Sequence, residues 1–301
     1  RAHGALDSAR VRAKAHEATE SRFNRAIVWK CVHDFKAVDQ GLRPVQTSAI
    51  VDANGNMCKP SEEKGQRWRG HFSGVFNKQS TWTLNALDYV PELPVAEGFD
   101  GPPDAREVSR AVAQLRNGKA AGASVILPEM LKAGGEPLNI RLVSLFLDVW
   151  CTSSAPKEWV DATLVPVPKK GDLSKCDNWR GISLLDVVGK VLASVIQSRH
   201  QVIAAEFMPE SQCGFRRGRS CTDMIFCVRQ LWGKTIEHNT KGFFIFIDLR
   251  KAYDSVPREC LWRVLTHAGV PNSMLQVIRS FHSEMFAMLR VWEVSQRTHS
   301  V

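Results

Sequence analysis

The sequence predicts an α+β fold, on three observations. Stretches with apolar residues at intervals of three and four alternate with short runs rich in Val, Ile and Phe that Pro or Gly interrupt. Strands interspersed with long helices in this way indicate an α+β or α/β class, of which we take α+β. The chain has 301 residues, 44% of them hydrophobic and 24% charged, enough apolar material for a sizeable core.

Residues 5 to about 37 hold no Gly or Pro and alternate basic residues with Ala and Val, which predicts one long helix with Phe23, Ile27, Val28 and Cys31 as an apolar stripe near its end. Ala49, Ile50 and Val51 predict a short strand, and Asn54-Gly55 a hairpin-type turn. A helix begins at Ser61, with Glu62 and Glu63 at its positive end and Trp68, Phe72 and Phe76 on one face. Pro91, Pro94, Pro102 and Pro103 mark a linker. From Asp104 a helical period runs through Val108, Val112 and Leu115 and stops at Asn117-Gly118. Residues 137–151, dense in Leu, Val and Phe, predict a buried helix. Residues 163–167 are β-branched but broken by prolines, which confines that strand to a sheet edge. Residues 186–207 predict a long helix, 243–248 a central strand, 257–267 and 272–286 two helices, and 287–292 a last strand.

Composition narrows the function classes. Forty Lys and Arg against 31 Asp and Glu leave a net charge of +9, which fits a polyanionic partner, although ordinary cytosolic proteins reach it too. The longest apolar run, residues 243–247, is far too short for a bilayer span. Eight dispersed cysteines, none in a Cys-x-x-Cys pair, argue against a disulfide framework or a structural zinc and for a reduced intracellular compartment. No secretory signal pattern opens the chain, and a start at Arg1 rather than Met suggests a fragment.

Three segments could carry chemistry. In the first, residues 242–257, a non-alternating apolar strand ends at Asp248 and leads into Ala252-Tyr253-Asp254-Ser255-Val256-Pro257. The unbroken apolar run implies that both faces of the strand are covered. A carboxylate at such a strand end is costly unless charge or hydrogen bonds offset it, and a divalent cation would do so. Alternatively, Asp248 sits at the solvent edge or caps the next turn. Tyr253 is either a core aromatic or a ring set against a sugar, where it would clash with a 2′-hydroxyl. Asp254 holds the turn before a helix whose first turn contains Pro257.

The second segment, Pro168-Lys169-Lys170-Gly171-Asp172 followed by Asn178-Trp179-Arg180-Gly181-Ile182-Ser183-Leu184-Leu185, forms a basic finger. Arg180 could grip phosphate oxygens bidentately while Lys169 or Lys170 adds point charge; the other reading is a solvated hairpin tip anchored by Trp179. The third, Gln212-Cys213-Gly214-Phe215-Arg216-Arg217-Gly218-Arg219, sets three arginines among glycines ahead of a helix near Thr222. It suits a nucleic-acid backbone or is a basic surface loop.

In this order the three segments resemble the reverse transcriptase of non-LTR (LINE-type) retrotransposons. The family pattern runs from a Pro-Lys-Lys-Gly-Asp turn through Asn-Tyr-Arg-Pro-Ile-Ser-Leu-Leu and Gln-x-Gly-Phe-Arg to a strand ending Asp-x-x-x-Ala-Phe/Tyr-Asp-Ser-Val. Upstream, Asn117-Gly118-Lys119-Ala120-Ala121-Gly122 and Pro128-Glu129-Met130-Leu131-Lys132 resemble the block that opens the family's fingers. The resemblance covers roughly residues 60–292. It implies a right-hand polymerase's fingers and partial palm over residues 104–301. Ahead of these lie a mostly helical region over 1–80 and a linker over 81–103.

The implied chemistry is RNA-templated DNA synthesis: a primer 3′-hydroxyl attacks a deoxynucleotide α-phosphate with the help of two Mg²⁺ (or Mn²⁺) ions. By the resemblance Asp248 is the catalytic carboxylate and binds metal, with the Leu249 carbonyl nearby. Tyr253 is a sugar gate, and Lys169 or Lys170 and Arg180 contact the incoming triphosphate. Gln212, Gly214, Phe215, Arg216, Arg217 and Arg219 lie along the RNA template and DNA primer. The resemblance also implies a nuclear location. Three departures stand out. Ser124-Val125 replaces the family's Asp-Gly, Gly181 replaces its Pro, and the sequence contains no consecutive aspartates, where the family uses an Ala-Asp-Asp hairpin. The chain also stops before the family's Gly-Val-Arg-Gln-Gly block. The expectation is therefore a fragment without polymerase activity of its own. A non-catalytic nucleic-acid-binding remnant and a degenerate reading frame with no function are the alternatives.

Overall fold

The computed structural model describes residues 50–51, 55–58, 61–76, 92–122, 124–249, 252–291 and 294–299. The helix expected over residues 5–37 lies outside them. In chain order the elements are α1 (Ser61–Phe76), α2 (Ala105–Gln114), α3 (Pro128–Ala133), α4 (Gly135–Thr152), α5 (Lys157–Val160), β1 (Ala162–Pro168), β2 (Trp179–Leu184), α6 (Val187–Ala205), α7 (Cys221–Glu237), α8 (Arg258–His267), α9 (Asn272–Ser280), β3 (Phe286–Val291) and β4 (Val294–His299). Among the described residues, helices with one small sheet make an α+β architecture. It divides into two compact units, one of Arg1–Lys78, Gly101–Val195 and Gln276–Val301, the other of Gln79–Asp100 and Ile196–Leu275.

The first unit holds the sheet, ordered β2-β1-β3-β4. β1 pairs antiparallel with β2 from Thr163 opposite Leu184 to Pro168 opposite Trp179. On its other side it pairs parallel with β3, but only through Ala162, Thr163 and Leu164. The expected edge position is therefore half corrected. The apolar start of β1 is interior, and the ladder stops two residues before Pro166, which has no N–H to offer a second neighbour.

Ile50, Trp68, Phe72, Leu164, Cys176, Trp179 and Leu289 make a buried cluster against this sheet. Trp68 stacks on Phe72 at 5.6 Å and meets Trp179 edge-on at 5.4 Å. Where the short strand and turn were expected, Val51 makes a single antiparallel bridge to Met57 and Gly55 takes φ +86°, while Ala49 and Asn54 lie outside the described residues; the Val51 N–H donates to the Ser174 carbonyl at 3.0 Å. A helical layer forms the rest of the unit. Asp104 caps α2 by accepting the Arg106 and Glu107 N–H groups at 2.7 Å, while Glu107 accepts the Asp104 N–H at 2.9 Å. Such a capping box stabilises a helix by about 1 kcal/mol. Val108 of α2 and Leu142 and Phe146 of α4 are buried, and Trp159 of α5 packs edge-on to Phe146 and parallel to Phe281.

The expected helix over 272–286 ends at Ser280, because the chain turns through Glu284 (φ +45°) to enter β3 at Phe286.

In the second unit the segment around Pro94 is tied to the end of α8 and the turn after it. The Leu93 N–H donates to the His267 carbonyl at 2.8 Å, and the Ala96 N–H to Gly269 at 2.9 Å. Arg199, buried, donates from Nη1 to the Phe99 carbonyl at 3.0 Å.

The expectation of a covered central strand at residues 243–248 is overturned. Residues 241–249 belong to no strand, and Phe243, Ile245, Phe246 and Ile247 are 82–88% exposed. A strand forms only where another strand pairs with it, and none among the described residues pairs with this run. Phe244 stacks instead on Trp232 of α7 at 5.8 Å. That helix buries none of its residues, so Ile225, Phe226, Leu231, Trp232 and Ile236 are exposed along with the 243–247 run.

Candidate nucleotide and nucleic-acid interface

In the first unit the β1–β2 connection builds the basic finger. At the start of β2 Trp179 is buried in the core and Arg180, on the opposite face, is exposed. The loop is held from inside. Asp172 accepts the Ser174 hydroxyl at 2.7 Å and its N–H at 3.0 Å, and these two bonds hold its carboxyl below the usual carboxylate range. Asn178 Nδ2 donates to the Asp172 carbonyl at 2.7 Å, and the Trp179 indole N–H to Leu173 at 2.9 Å. Beneath it, burial pushes the Cys176 thiol up to about 11. Lys169 is engaged, donating from Nζ to the Asp177 carbonyl at 2.8 Å, whereas Lys170 and Arg180 are exposed with no ion pair among the described residues. The finger can therefore offer an ammonium and a guanidinium to phosphate oxygens.

Gly181 has a specific reason to be there. A Cβ on it would lie 2.7 Å from a Phe72 ring carbon and 2.9 Å from a Leu164 methyl. Phe72 fills the space that a side chain at 181 would need.

The opening block is assembled from both of its motifs. Glu129 of α3 accepts the Gly118 N–H at 2.5 Å, and Lys132 donates to Asn117 at 2.8 Å. Gly122 runs so close to the Leu185–Asp186 backbone that a Cβ would fall 2.6 Å from it. Val125, at the family's glycine position, takes φ +63°, a left-handed conformation that strains a β-branched residue.

In the second unit the arginine turn precedes α7, whose N-terminus Ser220 and Asp223 close with a reciprocal capping box. Arg216 donates to the Pro209 carbonyl at 2.9 Å and pairs with Glu210 at 3.2 Å. Arg219 pairs with the other oxygen of the same carboxylate. Arg217 is exposed with no ion pair among the described residues. Glu210 escaped the sequence reading, although its charge two residues ahead of the block was a visible signal. Gln212 turns back on Gly214, donating to its carbonyl at 3.1 Å. Phe215 adopts φ +58° with its ring 86% exposed and meets Tyr253 edge-on at 5.9 Å. Tyr253 sits on the short turn Tyr253–Ser255, which leads through Pro257 into α8. Asp248 and Leu249 lie on the exposed segment before it.

These residues do not fit a two-metal centre. Among the described residues no three His, Cys, Asp or Glu side chains group as ligands, and Mg²⁺ gives up its water only to concentrated charge. No helix among the described residues is long and apolar enough to cross a membrane.

Comparison with known proteins decides the affiliation. Residues 167–299 match the family described as reverse transcriptase (RNA-dependent DNA polymerase). This segment is a reverse transcriptase domain of the non-LTR retrotransposon type. The chain is 32% identical over 206 residues to the putative 115 kDa protein of the type-1 retrotransposable element R1DM of Drosophila melanogaster, covering 66% of this chain and 19% of that protein. It is 24% identical over 280 residues to the RNA-directed DNA polymerase from mobile element jockey of the same organism, covering 85% and 28%. It is 27% identical over 256 residues to the Transposon TX1 uncharacterized 149 kDa protein of Xenopus laevis, covering 83% and 20%. The chain thus spans less than a third of each of these relatives.

Proposed function

We propose that this chain is the nucleotide- and nucleic-acid-binding part of a retrotransposon RNA-directed DNA polymerase, and that by itself it binds without polymerising. The observation that carries the reading is a set of three outward basic side chains free of ion pairs among the described residues. Lys170 and Arg180 lie on the finger and Arg217 on the arginine turn, all three within motifs of the matched family. Lys170 and Arg180 bind the triphosphate of an incoming deoxynucleotide, helped by Lys169. Arg217, with Arg216 and Arg219, lies along the phosphates of an RNA template and DNA primer, where charge neutralisation dominates affinity. Tyr253 faces the sugar. The family uses divalent metals, but Asp248 alone does not make a metal pair's site, so we assign no step through one.

Primer extension on an RNA template with Mg²⁺ or Mn²⁺ tests the proposal alongside binding. The expected result is retention of the primer–template without incorporation above an Asp248→Ala control. Incorporation above that control contradicts the second half of the proposal, and failure to bind contradicts the first.

A further inference from the structure

We propose that Phe215 is a positioning residue: its ring holds the Tyr253 ring in place, so discrimination between deoxyribo- and ribonucleotides depends on it. The inference rests on the reading of Tyr253 as the group that faces the sugar.

Phe215 carries a left-handed backbone, φ +58°, that costs a non-glycine residue about 1–2 kcal/mol. Outliers of this kind persist where the surroundings over-determine them, and they cluster at working sites. Burial does not explain this one, since the ring is 86% exposed. Glycines stand at 214 and 218, yet the strained position is filled by an aromatic. The ring meets that of Tyr253 edge to face at 5.9 Å and 88°.

Tyr253 needs such a partner. It is itself 75% exposed and rides on a single tight turn closed by the Val256 N–H on its own carbonyl at 3.4 Å. Excluding a 2′-hydroxyl requires a ring fixed to within about 0.5 Å, which a phenol free to swing in water does not provide. An edge-to-face neighbour restricts that swing at little entropic cost, because an aromatic side chain has only two rotatable bonds.

The sequence contains two tyrosines, Tyr89 and Tyr253, so the full chain labelled with 3-fluorotyrosine gives two ¹⁹F resonances that Tyr89→Phe assigns. Phe215→Leu is expected to shift the Tyr253 resonance and leave that of Tyr89 in place, while Phe215→Trp keeps Tyr253 near its original position. Titration with dATP and with ATP in Mg²⁺ then follows Tyr253. The preference for dATP is expected to fall roughly threefold to tenfold in Phe215→Leu, the scale of one aromatic pair, and to survive in Phe215→Trp. A Tyr253 resonance indifferent to Phe215→Leu overturns the inference. So does a moved resonance with an unchanged dATP-to-ATP ratio, which leaves Phe215 a structural neighbour only. If neither nucleotide perturbs wild-type Tyr253, the sugar-facing reading itself fails and takes this inference with it. The unliganded spectra still report the ring contact separately. Because Phe215 is on the surface, these variants are expected to keep the wild-type far-ultraviolet circular dichroism.

Discussion

The ring of Phe215 stands perpendicular to that of Tyr253, their centroids 5.9 Å apart. Thirty-eight positions separate the two residues in the chain, and each belongs to a different motif of the reverse transcriptase family. The pair joins the arginine turn to the segment that follows Asp248. It also gives the exposed Tyr253 a defined orientation within the second unit.

Glu210 restrains the arginine turn. One exposed carboxylate engages both Arg216 and Arg219, and exposed pairs of this kind contribute only about 0–1 kcal/mol, so nucleic-acid phosphates compete with it. Glu210→Gln is expected to tighten binding to a primer–template and to steepen the decline of log K with log salt by about one phosphate's worth. Salt-titrated fluorescence anisotropy measures both.

Packing around Gly181 predicts a stability defect with a specific remedy. Gly181→Ala drives a Cβ into Phe72 and Leu164 and is expected to destabilise the first unit by about 1–3 kcal/mol. Adding Phe72→Leu opens that space, so the double variant should lose less than the sum of the two single variants. Urea denaturation of all four proteins measures the coupling.

Val125 holds a left-handed turn that the family builds with glycine. Val125→Gly removes the β-branched strain and, net of glycine's greater unfolded-state freedom, is expected to stabilise by about 1 kcal/mol. Thermal unfolding followed by circular dichroism should show a higher Tm.

His200 makes stability pH-dependent. Burial lowers its pKa below the usual 6.5, so the unfolded chain takes up a proton there before the folded chain does. Its contribution is therefore complete above about pH 6.5 and declines as pH falls below that value toward the folded pKa. His200→Gln is expected to flatten the stability profile on the acid side of neutrality, measured by denaturant titration at stepped pH.

Much of this was legible from local chemistry. The Ser61 helix, the Asp104 start, the long helix after Asp186 and the basic finger follow from spacing, caps and turn residues, which act within a few residues. What was hidden depends on distant partners. Pairing of β1 with a strand more than a hundred residues later decides which half of β1 is interior, and nothing local to Pro166 reveals that. The apolar run at 243–247 has the composition of a covered strand, but a strand exists only where another strand pairs with it, and none among the described residues does. The arginines of the third segment were visible by type; that one glutamate engages two of them was visible only in space.

The most direct test follows a labelled RNA template annealed to a DNA primer as it binds the full chain over a salt series. Affinity is expected to fall linearly in log–log form, to be unaffected by Asp248→Ala, and to collapse when Arg216, Arg217 and Arg219 are changed together to Ala. Binding that ignores salt, or that the triple variant retains in full, contradicts the account.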